Sequence, residues 1–253
     1  MYSRVVVSGD FVEVFRYEKP VVRNLPPSFH KKKLVTPSSE QVLLNRKLAS
    51  ARAVRNVYRL VSANSYDCIP DCAFLTLTFR ENIIDLTVAA KELRLFLQRL
   101  SYLTKVQYKY VIVPEFQVRG AVHYHCLFFN WVFVQHFTLR GLWGVGSVDV
   151  HRIDRVRNLA RYVTKYMVKG FVDSRVYNRK KYYASRNLRR PLVILSGDSV
   201  TPLDSVLMDS KMVYQRSFNT RMFGSVSVQR YMVSSEVTAF AKQLYVRQLN
   251  LGI

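Results

Sequence analysis

The sequence predicts an α+β fold, a central antiparallel β-sheet with flanking helices. Between residues 73 and 169 the hydrophobic period changes in the order strand, helix, strand, strand, helix, and a short segment holding Gly120 joins the two middle strands. With 253 residues, 49% of them hydrophobic, the chain can bury one sizeable core or two small ones.

Residues 4 to 15, RVVVSGDFVEVF, alternate as a strand or hairpin does. Residues 20 to 37 carry four prolines and the triple lysine Lys31 to Lys33 and read as an arm or linker. A helix starts at Ser38 or Ser39, with Glu40 in its first turn and an uneven apolar stripe of Val42, Leu43, Leu48, Val54, Val57 and Leu60. Arg46, Lys47, Arg52, Arg55 and Arg59 occupy its other face, as a solvated surface or as a reader of phosphate. Residues 73 to 79, AFLTLTF, put Ala73, Leu75, Leu77 and Phe79 on one face of a strand and Phe74, Thr76 and Thr78 on the other. Residues 86 to 103 form a helix with Leu86, Leu93, Leu97 and Leu100 inside. YKYVIVPE and AVHYHCLFF follow as an antiparallel hairpin, and residues 154 to 169 return to helix. The last stretch reads least clearly, with a strand at Gly224 to Val233. Three parts are expected: a basic strand, arm and helix over 1–70, a core over 71–191, and an extension over 192–253 that completes the fold.

Lysine and arginine number 39 against 17 acidic residues, a formal charge of +22 that points to a polyanionic partner, nucleic acid before others. The charge is clustered. Residues 16 to 59 hold eleven Lys/Arg and two Glu, and residues 140 to 191 hold fourteen Lys/Arg and three Asp. Two such blocks suit two surfaces, or two edges of one groove, that follow a phosphate backbone. Three cysteines, Cys68, Cys72 and Cys126, do not make a disulfide framework and fit a reducing setting. Asp10 and Glu13 interrupt the first apolar stretch, so no signal peptide is expected. The apolar run Val122 to Phe137 contains three histidines, Asn130 and Gln135, which a membrane span tolerates poorly. GLWGVG near residue 141 is too loose for a nucleotide loop and no G-x-x-x-x-G-K-[ST] occurs, so neither a nucleotide cofactor nor ATP hydrolysis is expected.

His123 and His125 lie two apart in a strand, so their side chains leave one face with Cα atoms about 6.5–7 Å apart, near enough to share one ion. Glu115 sits where the hairpin returns toward His123 and can complete a two-nitrogen, one-oxygen set; Gln117 is the neighbouring alternative. In the segment ARYVTKYMVKG, Tyr162 and Tyr166 are four apart, as are Lys165 and Lys169, so each pair stacks on one helix face. A phenol, with a pKa near 10, attacks poorly until cations stabilise its phenolate, which lysines and a metal do. A zinc site from Cys68 and Cys72 with a histidine is set aside, because Cys126 faces away from the histidines and C-x3-C alone is weak.

FLTLTF, VHYHCLFF and YVTKYMVK, in this order and spacing, resemble the three motifs of the HUH superfamily of rolling-circle replication initiators, known from small single-stranded DNA phages and plasmids. Tyr124 between the histidines departs mildly from the motif, and the third motif contains Y-x-x-K twice, as in two-tyrosine phage initiators. The resemblance covers about residues 72 to 191. It implies a ferredoxin- or RRM-like palm, Tyr162 and Tyr166 as nucleophiles assisted by Lys165 and Lys169, His123, His125 and Glu115 as ligands of Mg2+ or Mn2+, and a covalent 5′-phosphotyrosine. It further implies single-stranded DNA at a replication origin as substrate, a separate host helicase and DNA polymerase as partners, and the cytoplasm of a bacterial host as location. Arg46, Lys47, Arg52, Arg55, Arg161, Lys180, Lys181, Arg186, Arg189 and Arg190 are the expected DNA contacts, the last three within SRNLRRP. His136 and His151 fall outside the motifs and read as structural or DNA-facing. A transposase or relaxase of the same superfamily would share the ligands and tyrosine, whereas a non-catalytic binding protein presenting aromatics from its sheet would leave them unused.

Overall fold

The computed structural model describes residues 2–19, 38–65, 71–153, 159–160, 164–165, 170–171, 173–196, 201–220 and 222–250. The chain divides into two compact units, 39–189 and 1–38 with 190–253. The fold is α+β, built on two antiparallel five-stranded sheets. Among the described residues no helix is long and apolar enough to cross a membrane.

The chain opens with strands β1 (Tyr2–Ser8) and β2 (Phe11–Tyr17), then helix α1 (Ser39–Ser65). The middle of the chain follows as β3 (Cys72–Phe79), α2 (Leu86–Thr104), β4 (Tyr110–Phe116), β5 (Val122–Phe128), α3 (His136–Trp143), β6 (Gly146–Ile153) and β7 (Tyr183–Ala184). The last elements are β8 (Leu192–Ser196), α4 (Thr201–Leu207), β9 (Lys211–Thr220), β10 (Gly224–Met232) and α5 (Ser235–Asn250).

In the 39–189 unit the strand order is β6-β3-β5-β4-β7. Strand alternation gives this sheet two apolar faces. On one, Leu75, Leu77, Phe79, Ile112, Tyr124 and Phe128 pack with Leu93, Phe96 and Leu100 of α2 and Trp143 of α3. On the other, Phe74, Val111, Val113 and Leu127 pack with Val57, Leu60 and Val61 of α1 and with Leu159, Ala160 and Phe171. Complete burial of a side chain such as Leu75 or Phe96 contributes about 2–3 kcal/mol. α2 starts where the Asp85 carboxylate accepts the Thr87 N–H at 2.6 Å. Gly146 lets β6 close on β3, since a Cβ there would stand 1.8 Å from the Thr78 carbonyl oxygen.

The other unit has strand order β8-β1-β2-β10-β9. Val5, Val7, Val12, Val14 and Ile194 meet Leu203 and Leu207 of α4 and Val237 and Ala241 of α5. Buried Glu13 is paired with Arg230 at 2.8 Å. Edge strand β9 is exposed along nearly its whole length.

Where the sequence suggested breaks after residues 70 and 191, the helix from Ser39 packs with the middle segment, and the first two strands share a sheet with the last three. The α1 stripe is also placed differently. Leu43 and Leu48 are exposed, and the buried positions run Ser50, Ala53, Val57, Leu60 and Val61. The first turns of α1 contribute none of its buried residues. Residues 20–37, most of 154–169, and Cys68 lie outside the described residues.

Candidate active site

The site grows from the two-residue period of β5. Val122, Tyr124, Cys126 and Phe128 enter the core beneath α2 and α3, so His123 and His125 leave the sheet on the face that carries α1 and the residues around 159–171. The antiparallel register aligns Thr78, His123 and Glu115 across three strands, and beside them Thr76, His125 and Val113.

Glu115 thus stands opposite His123, yet its Oε2 lies 2.6 Å from Nε2 of the diagonal neighbour His125. Thr78 Oγ1 is 3.4 Å from His123 Nε2. Phe74 stacks on the His125 ring at 5.7 Å between centroids, and the two imidazoles are 5.6 Å apart. Gln117, the alternative acid position, lies beyond β4, where its side-chain oxygen accepts from Arg119 Nε at 2.9 Å. Glu115 is therefore the group brought to the histidines.

Burial lowers the His123 pKa to about 4, helped by the neighbouring His125 and opposed by Glu115. His123 is thus neutral at physiological pH and keeps a lone pair for a ligand. Among the described residues the Nδ1 atoms of His123 and His125 are buried and have no hydrogen-bond partner. Two imidazoles and a carboxylate on one face are a donor set that suits a hard or borderline divalent cation. As placed, no three His, Cys, Asp or Glu side chains among the described residues form a metal-holding group. The Glu115–His125 hydrogen bond must therefore open, or turn outward, for an ion to be held by all three.

Tyr162, Tyr166, Lys169 and Arg161 lie outside the described residues. Their flanking residues are placed. Leu159 and Ala160 are helical and buried, Thr164 donates to the Ala160 carbonyl at 2.6 Å, and Lys165 is exposed. Gly170 is buried so tightly on β4 that a Cβ would stand 2.3 Å from the Pro114 carbonyl oxygen, one residue before Glu115. Phe171 is held by its carbonyl, which accepts from Ser50 Oγ at 2.6 Å and from Lys181 Nζ at 3.0 Å. Both ends of this segment therefore rest on the imidazole face.

The expected DNA contacts divide by environment. Lys47, Arg52 and Arg55 on α1, and Lys180, Arg186, Arg189 and Arg190 after it, are exposed. Arg46 is partly covered, its guanidinium 5.0 Å from the Tyr177 ring centroid. Lys181 is committed to Phe171, Ser50 and Tyr177, and burial lowers its pKa. Its role in the fold is to anchor Phe171. Asn64 brackets Arg189, accepting from its N–H at 2.9 Å and donating to its carbonyl at 3.0 Å. Of the outlying histidines, His136 contacts the Val148 carbonyl at 2.8 Å and His151 pairs with Asp149 on the surface.

Sequence reasoning missed the supporting residues Ser50, Asn64 and Lys181, whose partners are distant in the chain. Thr78 and Phe74 were signalled by the two-residue period that puts them on the face of the histidines.

Residues 72–171 match the family model of the replication-associated protein ORF2. The matched stretch runs from the first residue of β3 to the anchored Phe171, so it contains the histidines, Glu115 and both tyrosines. That likeness agrees with a role in DNA replication. No curated protein and no solved structure matched the chain.

Proposed function

We propose that the chain is a rolling-circle replication initiator of the HUH type, a site-specific single-strand DNA endonuclease and strand transferase. The observation that carries this reading is that Leu159, Ala160, Gly170 and Phe171, which bracket Tyr162 and Tyr166, rest on the sheet face from which His123 and His125 project. The likeness of residues 72–171 to a replication-associated family supports it.

In this reading His123, His125 and Glu115 hold Mg2+ or Mn2+, with Thr78 and Phe74 orienting the imidazoles. The ion supplies Lewis-acid polarisation of the scissile phosphate. Tyr162 or Tyr166 attacks the phosphorus through its phenolate oxygen; the P–O3′ bond breaks, leaving a 5′-phosphotyrosine and a free 3′ hydroxyl. Attack of a 3′ hydroxyl on that linkage reverses the step and joins strands. Exposed Lys165, with Lys169, neutralises phosphate charge, and the arginines of α1 with Lys180, Arg186, Arg189 and Arg190 follow the backbone. The sequence carries no P-loop, so a host helicase and polymerase extend the 3′ end, in the cytoplasm of a bacterial cell.

The test is incubation with labelled single strands bearing the origin, in Mn2+, followed by a denaturing gel. A covalent adduct that disappears when both Tyr162 and Tyr166 become Phe is the expected result. Tight binding without an adduct on any strand would instead mark a non-catalytic binding protein.

A further inference from the structure

A cavity of about 720 Å3 opens on the opposite face of the same sheet, between α2 and the edge formed by β7. Its size is that of a small-molecule or nucleotide site. β4 separates it from the histidines by alternation: Tyr110 joins the core beneath α2, whereas Val111 and Val113 belong to the imidazole face. Tyr110 and Glu115 are also five residues apart, about 17 Å along the strand.

The lining has three chemistries. Leu93 and Leu97 supply an apolar wall, and Tyr110 and Tyr183 supply half-buried rings. Those rings are fixed, Tyr110 packing on Phe128 at 6.0 Å and Tyr183 edge-on to Tyr124 at 6.2 Å. Reciprocal 3.0 Å hydrogen bonds between Tyr110 and Ser185 hold the rim. Exposed Arg94 and Arg186 provide positive charge, and no acidic side chain is among the described lining residues.

Fixed aromatic rings, hydroxyl and amide groups from Ser101, Gln98 and Asn187, and two guanidinium groups match the parts of a nucleotide. We propose that this cavity takes one nucleotide of a DNA single strand, with its base against the tyrosine rings and its phosphate on Arg94 or Arg186. The assignment rests on the lining alone and does not require the cleavage chemistry above.

The experiment uses the full chain with oligo-deoxythymidine carrying one photoreactive 5-iodouracil, and maps the crosslinked peptides by mass spectrometry. Crosslinks at Tyr110 or Tyr183 are expected, and they should persist in His123→Ala, which separates this proposal from the metal site. Arg94→Glu combined with Arg186→Glu, or Ala90→Trp to fill the cavity, should remove those crosslinks and weaken oligonucleotide binding about tenfold. Crosslinks only elsewhere, with affinity unchanged in both variants, would overturn the proposal. Binding of free dTMP as tight as that of the oligonucleotide would overturn the assignment to a DNA strand.

Discussion

Glu115 faces His123 across the β4–β5 pair but gives its carboxylate to His125, 2.6 Å away on the diagonal. One acid thus serves both imidazoles, opposing charge loss on the first and fixing the second. In the proposed metal site Glu115→Gln keeps the shape and removes the charge. Mn2+ affinity measured by calorimetry should fall by about 10–100-fold. Unchanged affinity would remove Glu115 from the ligand set.

The two tyrosines are separable by substitution. Tyr162→Phe and Tyr166→Phe, singly and together, should retain single-strand binding, while at least one single change abolishes nicking. Cleavage undiminished in the double variant would end the tyrosine assignment.

His123 gives the metal-free protein an acid-side liability. Its folded pKa of about 4 lies below the unfolded value of about 6.5, so between these limits the unfolded chain binds more protons. This residue therefore makes stability rise with pH across that window, by at most about 3 kcal/mol, and contributes no slope below it. Denaturant melts at pH 4.5 and 7 should differ less in His123→Gln than in the parent; equal differences would contradict the buried, neutral imidazole.

Gly170 tests whether the tyrosine segment depends on its seat beside Glu115. Gly170→Ala puts a methyl group 2.3 Å from the Pro114 carbonyl oxygen, a contact that forces the backbone apart. A loss of about 1–3 kcal/mol in unfolding free energy is expected, together with reduced nicking by the folded protein. A variant as stable and active as the parent would show that the close approach is dispensable.

Lys181 and Arg55 make a contrasting pair among the basic residues. Lys181→Met leaves the Phe171 carbonyl with Ser50 alone and should lower stability by about 1–2 kcal/mol. Arg55→Ala, on the exposed side of α1, should leave the melt unchanged and flatten the salt dependence of DNA binding by about one ion. The reverse pattern would exchange their roles.

Local periodicity made much of the 39–189 unit legible. A strand that buries both faces still keeps its two-residue period, so β3, β4 and β5 and the shared face of His123 and His125 were readable, as was α2 from its leucines. β6 was missed although Val148 and Val150 alternate with Asp149 and His151, because the preceding glycines drew attention to a loop. β9 gave little signal because its side chains are mostly exposed and no burial enforces alternation. The pairing of β1 with β8 and of β2 with β10 joins residues at opposite ends of the chain, which no short window reveals. The exposed leucines at the start of α1 show the converse, a helical period without packing beneath it.

The placement of β1 and β2 inside a sheet completed by β8 and β10 has a consequence for synthesis on the ribosome. The first strands emerge as an isolated hairpin, which is marginal in water, while the continuous stretch 39–189 can collapse as soon as it is translated. The hairpin must wait for the last quarter of the chain before its unpaired edges are covered. Truncation shortly after residue 190 would therefore spare the proposed nicking unit and leave the amino-terminal strands open to aggregation.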